Sequence, residues 1–185
     1  MGTTRIEGAM AAFWGFAEAC LFFAVPDLLI SWLAMNRGLK AGAWSSLLAA
    51  LGAVVGGAAI WLWSASDPSA ARAAVSAVPA VSEAMISRAD ADMRRSGWFV
   101  ASMKGPLTST PYKVYAMLAP RHGAPLEAFA PAALPVRLPR FLLVAAGFAL
   151  VGHLLRFRID RRILLAAFTA GWLLFYAVFW LTVPG

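Results

Sequence analysis

The 185-residue chain has few of the side chains on which soluble enzymes and metalloproteins depend. Its single cysteine, Cys20, excludes an internal disulfide, a cysteine-based zinc site and an iron–sulfur cluster. The two histidines, His122 and His153, are too few and too far apart for the usual histidine-rich metal sites. The sequence contains no glycine-rich phosphate loop, serine-nucleophile motif or metal-ligand spacing. We therefore expect no metal, no other cofactor and no enzyme activity.

Charged residues are also scarce, at 14% of the chain, whereas hydrophobic residues reach 61%. Soluble domains carry about 25% charged and about 45–50% apolar residues. A single core in a chain of this length could not bury eight tryptophans and twelve phenylalanines together with this much leucine and alanine. The composition excludes a water-soluble globular protein and predicts an all-α integral membrane protein.

The net charge of +7 comes from 16 basic and 9 acidic residues. In a soluble protein this excess would suggest nucleic-acid binding. Here the arginines stand at the ends of apolar runs, where positive charge orients membrane helices and attracts anionic lipids. We expect no nucleic-acid partner. The expected partners are membrane lipids with anionic phosphate head groups, and a homo-oligomer stays an open alternative.

Three apolar segments have the length and composition of membrane-spanning helices. The hydrocarbon core of a bilayer is about 30 Å thick and needs about 20 helical residues. Residues 41–66 and 163–185 carry no charge and are long enough. The uncharged stretch 141–155 is too short, so its helix must extend back over Arg140 to residue 137. We predict transmembrane helices at 41–66, 137–155 and 163–185.

Two further apolar segments contain charges and prolines that ordinary spans lack. Residues 1–40, which include the N-terminus, carry Glu18, Pro26 and Asp27 within an apolar run. Residues 97–136 carry six prolines. Proline interrupts helices, and irregular backbone survives at membrane depth only where protein buries it or where it lines a wet cavity. We interpret both segments as re-entrant hairpins, each of which enters and leaves the membrane on one side.

The remaining segments are polar and set the expected orientation. Residues 156–162 contain four arginines and one aspartate, which predicts a basic cytoplasmic loop. Residues 67–96 form a polar connector with a narrow apolar stripe. This pattern is typical either of an amphipathic helix that lies on the membrane surface or of a solvated connecting helix. The N-terminus is then cytoplasmic, and the hairpins enter from opposite sides in an inverted-repeat layout typical of secondary transporters. The apolar stripe of the connector consists of Val81, Met85, Ala89 and Met93.

Glu18 and Asp27 are the acidic candidates for binding substrate or protons. Ionisable side chains inside the membrane are costly and usually face the protein interior or a water-filled cavity, where a carboxylate can exchange protons. Because a buried charge needs a partner, we expect Arg140 to lie close to one of these two carboxylates. The alternative is an interfacial hairpin that leaves both carboxylates in water.

Lys113, Arg137 and Arg140 are the basic candidates. Arg137 and Arg140 are three residues apart and share one helical face, and arginine binds phosphate through two parallel hydrogen bonds. Lys113 follows Pro111, which interrupts the helix near the expected hairpin tip. The three cations could hold a lipid phosphate or neutralise the buried carboxylates. The alternative is that they only anchor helix ends by their positive charge.

The first predicted span contains three glycines on nearly one face. Gly52, Gly56 and Gly57 have GxxxG-like spacing, which lets a second helix approach closely. We expect a structural role for them.

Five short motifs resemble the DedA-type VTT-domain membrane proteins, also called SNARE-associated proteins. In the first half they are residues 16–19 (Phe-Ala-Glu-Ala), 25–29 (Val-Pro-Asp-Leu-Leu) and 51–57 (Leu-Gly-Ala-Val-Val-Gly-Gly). In the second half they are residues 108–114 (Thr-Ser-Thr-Pro-Tyr-Lys-Val) and 138–144 (Leu-Pro-Arg-Phe-Leu-Leu-Val). Their order is similar to that of the short YqaA-like branch, in which Pro-Tyr-Lys-Val precedes an Arg-Phe segment.

This resemblance covers roughly residues 12–152 and implies two opposed re-entrant hairpins in a bacterial cytoplasmic (inner) membrane. It also implies transport or scrambling of phospholipids or a polyprenyl phosphate, in some relatives coupled to protons. By motif, Glu18 and Asp27 match the acidic positions of the family, and Lys113 and Arg140 match its basic ones, with Arg137 less close. An ion- or proton-coupled transporter of small solutes on the same scaffold and a membrane assembly protein are the alternatives.

Overall fold

The computed structural model describes residues 4–20, 25–155 and 157–182, and these ranges are helical apart from short turns. The predicted segments also include positions 1–3, 21–24, 156 and 183–185, which lie outside the described residues. The predicted all-α fold class is confirmed for the described part of the chain. In chain order the helices are α1 (Arg5–Cys20), α2 (Asp27–Arg37), α3 (Leu39–Ser66), α4 (Pro68–Ser76), α5 (Glu83–Ser96), α6 (Trp98–Lys104), α7 (Tyr112–Leu118), α8 (Leu126–Leu155) and α9 (Arg161–Thr182).

Three of these helices, α3, α8 and α9, are long and apolar enough to cross a membrane. Their most apolar stretches have mean hydropathies of 1.9, 1.8 and 2.0. The 28 residues of α3 and the 30 residues of α8 extend about 42 and 45 Å, which exceeds the bilayer core. The structure thus supports a membrane-embedded protein with three spans, close to the predicted positions.

The centre of the fold is the antiparallel pair of α3 and α8. Near one end Gly42 of α3 packs against Ala145 of α8. Towards the other end Trp61 Nε1 of α3 donates a hydrogen bond to the carbonyl oxygen of Ala124, 3.0 Å away and just before α8 begins. The stretch of α8 around residues 137–140 is therefore close to the middle of this pair.

Helix α8 differs from the prediction, which ended a hairpin at residue 136 and began a span at 137. The helix instead begins at Leu126 and continues through Pro131, Pro135 and Pro139. The prolines are four residues apart and all exposed, so their rings project from one side of the helix. Their missing N–H groups interrupt the hydrogen bonding on that side only, while the other sides pack on α2 and α3. The predicted boundary at 136/137 is therefore wrong.

Helices α1 and α2 run antiparallel to each other, and each packs against α3. Arg37 at the end of α2 makes an ion pair of 2.7 Å with Glu7 in the first turn of α1. The start of α1 is capped, because the Thr4 amide donates to Glu7 Oε2 at 2.8 Å and the Glu7 amide donates to Thr4 Oγ1 at 3.3 Å. Pro26 lies directly before α2. The start of α1 and the end of α2 therefore lie at one end of the fold, and Cys20 and Pro26 lie towards the other.

The close approach predicted for the glycines of α3 is confirmed. A methyl group on Gly52 would stand 1.9 Å from the carbonyl oxygen of Ala12 in α1, and one on Gly56 would stand 2.6 Å from that of Phe16. On the next residue, Gly57, a methyl group would stand 2.6 Å from the ring of Tyr112 in α7. Only glycine lets α1 and α7 come this close to α3.

Helix α7 is buried along its whole length and lies against the second half of α3. Its first residue, Tyr112, meets Gly57, and near its end the carbonyl oxygen of Met117 accepts a hydrogen bond of 2.6 Å from Ser64. Helix α6 begins near the C-terminal end of α3, because the ring of Trp98 packs 5.8 Å from that of Phe129, which is near the start of α8. In the segment between α6 and α7, Gly105 and Thr110 are buried and the residues between them are exposed, and 3-10 turns lie on either side of α7.

The polar connector packs on the protein. Helix α5 buries Ile86, Ala89 and Met93, and Val81 precedes it. All four belong to the largest hydrophobic cluster, which also contains residues of α4 and α7. Met85, which belongs to the predicted apolar stripe, is only half-buried, and Ile86 is buried in its place. This arrangement favours a connecting helix over a helix lying on the membrane surface.

The last helix, α9, packs through aromatic side chains. Across Arg161–Thr182 no residue is buried. Phe168 lies 5.6 Å from the ring of Trp32 in α2 and 5.8 Å from that of Phe148 in α8. Tyr176 accepts a hydrogen bond of 3.3 Å from the amide of Val25. Such exposure on an apolar helix is typical of a surface that faces lipid.

Candidate functional site

All five candidate binding residues line a single cavity of about 560 Å³. The cavity lies between the linked ends of α1 and α2, the turn between α6 and α7, the middle of α8 and one face of α9. The described residues thus bring together side chains from positions 18 to 140. The candidates on its wall are Glu18, Asp27, Lys113, Arg137 and Arg140.

Two ion pairs join the first half of the chain to α8 across this cavity. Arg137 pairs with Glu18, and Arg140 pairs with Asp27. Glu18 and Asp27 are only 6% and 4% exposed, so the alternative with both carboxylates in water is wrong. The expectation that Arg140 lies beside one of these carboxylates is confirmed. Desolvated charges of this kind need their partners, because an unpaired buried charge costs several kcal/mol.

Lys113 adds a third cation to the group. It is the second residue of α7 and is 1% exposed. Its ammonium group is attracted by Glu18 and repelled by Arg137. The ionisable residues of the cavity wall are then three cations and two carboxylates, which leave one net positive charge when all are ionised. The electrostatics of the cavity favour an anionic occupant.

Several polar atoms at the site have no hydrogen-bond partner among the described residues. They include one acceptor on each carboxylate, Glu18 Oε2 and Asp27 Oδ1, and the Nε donor of Arg137. Glu18 Oε2 is close to Arg137, but the contact lacks hydrogen-bond geometry. A buried polar atom without a hydrogen bond costs about 1–3 kcal/mol. The cavity therefore presents donors and acceptors to whatever enters it.

Aromatic rings surround the arginines. The guanidinium of Arg137 lies 5.6 Å from the ring centre of Tyr112 and 5.2 Å from that of Phe141. Arg140 lies 5.9 Å from the same Phe141 ring. Tyr112 in turn stacks on Phe129, with the ring centres 5.7 Å apart. These distances are in the range of cation–π attraction, which holds both arginines in place.

Sequence reasoning missed three parts of the cavity wall: the connector at Pro79–Val81, the turn at Ser109–Thr110 and Trp172 in α9. Ala80 and Ser109 have φ angles of 67° and 55°, a left-handed conformation that non-glycine residues rarely adopt. Such strained positions concentrate at functional sites. Nothing in the sequence indicates this strain, because alanine and serine are not residue types that favour a positive φ angle.

The other polar residues considered from sequence lie apart from the cavity wall. His122 makes a hydrogen bond of 2.8 Å with Asp90, which also pairs with Arg94. Partial burial raises the pKa of Asp90, but the hydrogen bonds from His122 and Arg94 outweigh it and hold that pKa below its usual range. Cys20 is half-buried and donates a weak hydrogen bond to the carbonyl oxygen of Gly56 at 3.5 Å. These contacts are structural.

The site is thus a largely apolar cavity with a cluster of five charges at the middle of the α3–α8 pair. Within the described ranges, no three histidine, cysteine or acidic side chains are grouped closely enough to hold a metal ion. Comparison of the chain with protein-family models, with curated proteins and with solved structures finds no match.

Proposed function

We propose that this chain is a DedA-like membrane transporter that translocates or scrambles a phosphate-bearing lipid. The observation that carries the proposal is the cavity itself, where Lys113, Arg137 and Arg140 outnumber Glu18 and Asp27 near the middle of two apolar helices. A phosphate group that crosses a bilayer must exchange its hydration for cationic donors, and arginine and lysine supply them.

We also propose that α1–α2 and α6–α7 are opposed re-entrant hairpins of an inverted repeat. The ion pair of Glu7 and Arg37 closes the first hairpin at its base, and Glu18 and Asp27 reach the middle of α8. The second hairpin begins at the opposite end of the α3–α8 pair, beside Phe129, and turns at the cavity. Glu18, Asp27 and the turn before α7 then meet at mid-membrane depth, as in transporters built from inverted repeats.

The orientation follows from the basic residues. The end of α8 lies beside the end of α2, because a methyl group on Gly152 would stand 2.1 Å from the carbonyl oxygen of Met35. The arginine-rich loop 156–162 is therefore at the same end of the fold as Arg37 and Lys40. Positive charge marks the cytoplasmic side, so the proposed orientation has a cytoplasmic N-terminus. The bacterial inner membrane is what the family resemblance implies.

The arrangement suggests how a lipid would pass. The head group would enter the charged cavity between the two hairpin tips, while the tails stay in the surrounding hydrocarbon. Charges at the centre of a membrane cost about 2.5–3.5 kcal/mol each even on insertion scales, so the protein keeps Glu18 and Asp27 paired until a phosphate competes for the arginines. The barrier to crossing falls because the phosphate exchanges partners inside the protein.

A head-group-resolved scrambling assay in proteoliposomes tests this function. The purified chain should accelerate the exchange of an anionic phospholipid over protein-free vesicles, and Lys113→Gln should slow it severalfold because the cavity loses its net positive charge. Lys104→Gln is the matched control, since Lys104 is exposed on α6 and is not part of the cavity wall. Exchange no faster than in empty vesicles would contradict the proposal.

A second candidate, an ion- or proton-coupled transporter of small solutes, is supported by the buried acceptor Asp27 Oδ1, which has no hydrogen-bond partner among the described residues. The same vesicles separate the two functions. Solute uptake that follows a pH gradient without lipid exchange, and that is lost in Asp27→Asn, would favour the second candidate. Lipid exchange that is equal with and without the gradient would favour a passive scramblase.

A further inference from the structure

One polar atom of the cavity wall belongs to neither ion pair. The indole Nε1 of Trp172 is buried and has no hydrogen-bond partner among the residues that the structure describes. An indole N–H can only donate a hydrogen bond. The group that satisfies it must therefore carry a hydrogen-bond acceptor, which in a phospholipid is an oxygen atom.

Trp172 lies close to the charged cluster but not within it. It precedes Tyr176 on α9 by four residues, or about 6 Å along the helix. The hydroxyl oxygen of Tyr176 accepts a hydrogen bond from the amide of Val25, and the hydroxyl group interacts electrostatically with Asp27 and Arg140. The indole N–H is therefore about one helical turn away from the level of the ion pairs.

The cavity wall becomes apolar on the same side. Val144 and Phe148 follow Arg140 along α8 at intervals of one helical turn and line the cavity. Phe148 packs 5.8 Å from Phe168, which lies 6.4 Å from Trp172. Charged residues, the indole N–H and an apolar wall thus follow one another in this direction.

We propose that Trp172 donates its hydrogen bond to an ester carbonyl of the transported lipid. In a glycerophospholipid the ester carbonyls lie a few bonds from the phosphate, between the head group and the tails. This order matches the order of the cavity wall. A polyprenyl phosphate has no carbonyl, so the inference names diacyl glycerophospholipids as the substrate class. It rests on the proposed phosphate site and extends that site to α9, which lies beyond the motif-bearing residues.

Binding of two short-chain lipids tests the inference. The purified full chain in a maltoside detergent, which has neither phosphate nor ester, is titrated with dihexanoyl phosphatidic acid and with its dihexyl ether analogue. The native chain should bind the diester about two- to tenfold more tightly, the range of one hydrogen bond. Trp172→Phe keeps the ring, removes the N–H and should bring this ratio close to one. Trp44→Phe, on the exposed side of α3, should leave the ratio unchanged.

Each result supports or overturns the inference. Equal binding of the two lipids by the native chain, or an unchanged ratio in Trp172→Phe, would overturn it. Preferential binding of the diester without any lipid exchange in proteoliposomes would keep Trp172 as a lipid contact and contradict translocation. Binding of neither lipid would overturn both this inference and the proposed phosphate site.

Discussion

The two ion pairs of the site differ in how completely the protein surrounds them. Arg137 is 8% exposed and packs between Tyr112 and Phe141, whereas the side chain of Arg140 is 40% exposed. Loss of one partner from a buried pair leaves a charge without compensation, while a partly exposed side chain can find water or a lipid head group. The Glu18–Arg137 pair should therefore matter more for stability and the Asp27–Arg140 pair more for contact with a ligand.

This difference gives a prediction for single residues. Glu18→Gln should lower the free energy of unfolding by about 3–5 kcal/mol, because Arg137 stays buried without its partner. Asp27→Asn should lower it by clearly less, because the partly exposed Arg140 can find water or a lipid head group. Thermal unfolding of the purified chain in detergent measures both, and Arg88→Gln, on the exposed side of α5, is the control. Equal losses for the two carboxylate variants would show that the exposure of the remaining arginine does not set the contribution of each pair.

At the scale of elements, small residues decide how closely the helices pack. Gly15 of α1 and Gly52 of α3 both face the backbone of the other helix, and a methyl group on either would stand 1.9 Å from a carbonyl oxygen. A backbone oxygen cannot rotate aside as a long side chain can. The position of α1, and with it that of Glu18 at its far end, depends on these glycines.

Gly52→Ala should therefore separate α1 from α3 and lower the free energy of unfolding by at least about 1–3 kcal/mol, as overpacking does. Gly147→Ala is the matched control, because no atom lies within 4 Å of a methyl group at that position of α8. Alanine is the better helix former, so the control should be neutral or stabilising. Thermal unfolding of both variants provides the measurement. A stable Gly52→Ala would contradict the close contact of the two helices.

At the scale of the whole molecule, the proposed topology predicts which surfaces share a side of the membrane. Cys20 is the only cysteine, so Cys20→Ala gives a background for single-cysteine labelling. Three exposed positions are suitable: Asn36 at the end of α2, Ser87 in α5 and Ile159 in the basic loop. With a membrane-impermeant thiol reagent, cysteines at positions 36 and 159 should react from the cytoplasmic side and a cysteine at 87 from the other. Reaction of 36 and 87 from the same side would contradict the opposed hairpins.

Much of the whole-molecule description could be predicted, because it depends on composition. A charge content of 14% and long apolar runs require a membrane environment wherever the helices end up. The boundaries of the helices were harder to predict from the sequence. The prolines of residues 97–136, Pro131 and Pro135 among them, predicted a hairpin that ends at residue 136. In α8 a spacing of four residues confines the effect of Pro131, Pro135 and Pro139 to one exposed side, and the neighbouring helices decide whether the other sides hold.

The sequence by itself determined the membrane character, the all-helical fold and the five charged residues of the site, because a charge in an apolar run is conspicuous without any neighbours. The pairing of Glu18 with Arg137 and of Asp27 with Arg140 follows only from the tertiary structure, since contacts over more than a hundred positions depend on how α1, α2 and α8 pack. The tertiary structure also decided that Trp172 lines the cavity. An aromatic residue in a membrane helix looks the same in sequence whether it faces lipid or protein, and only the packing of α9 distinguishes the two.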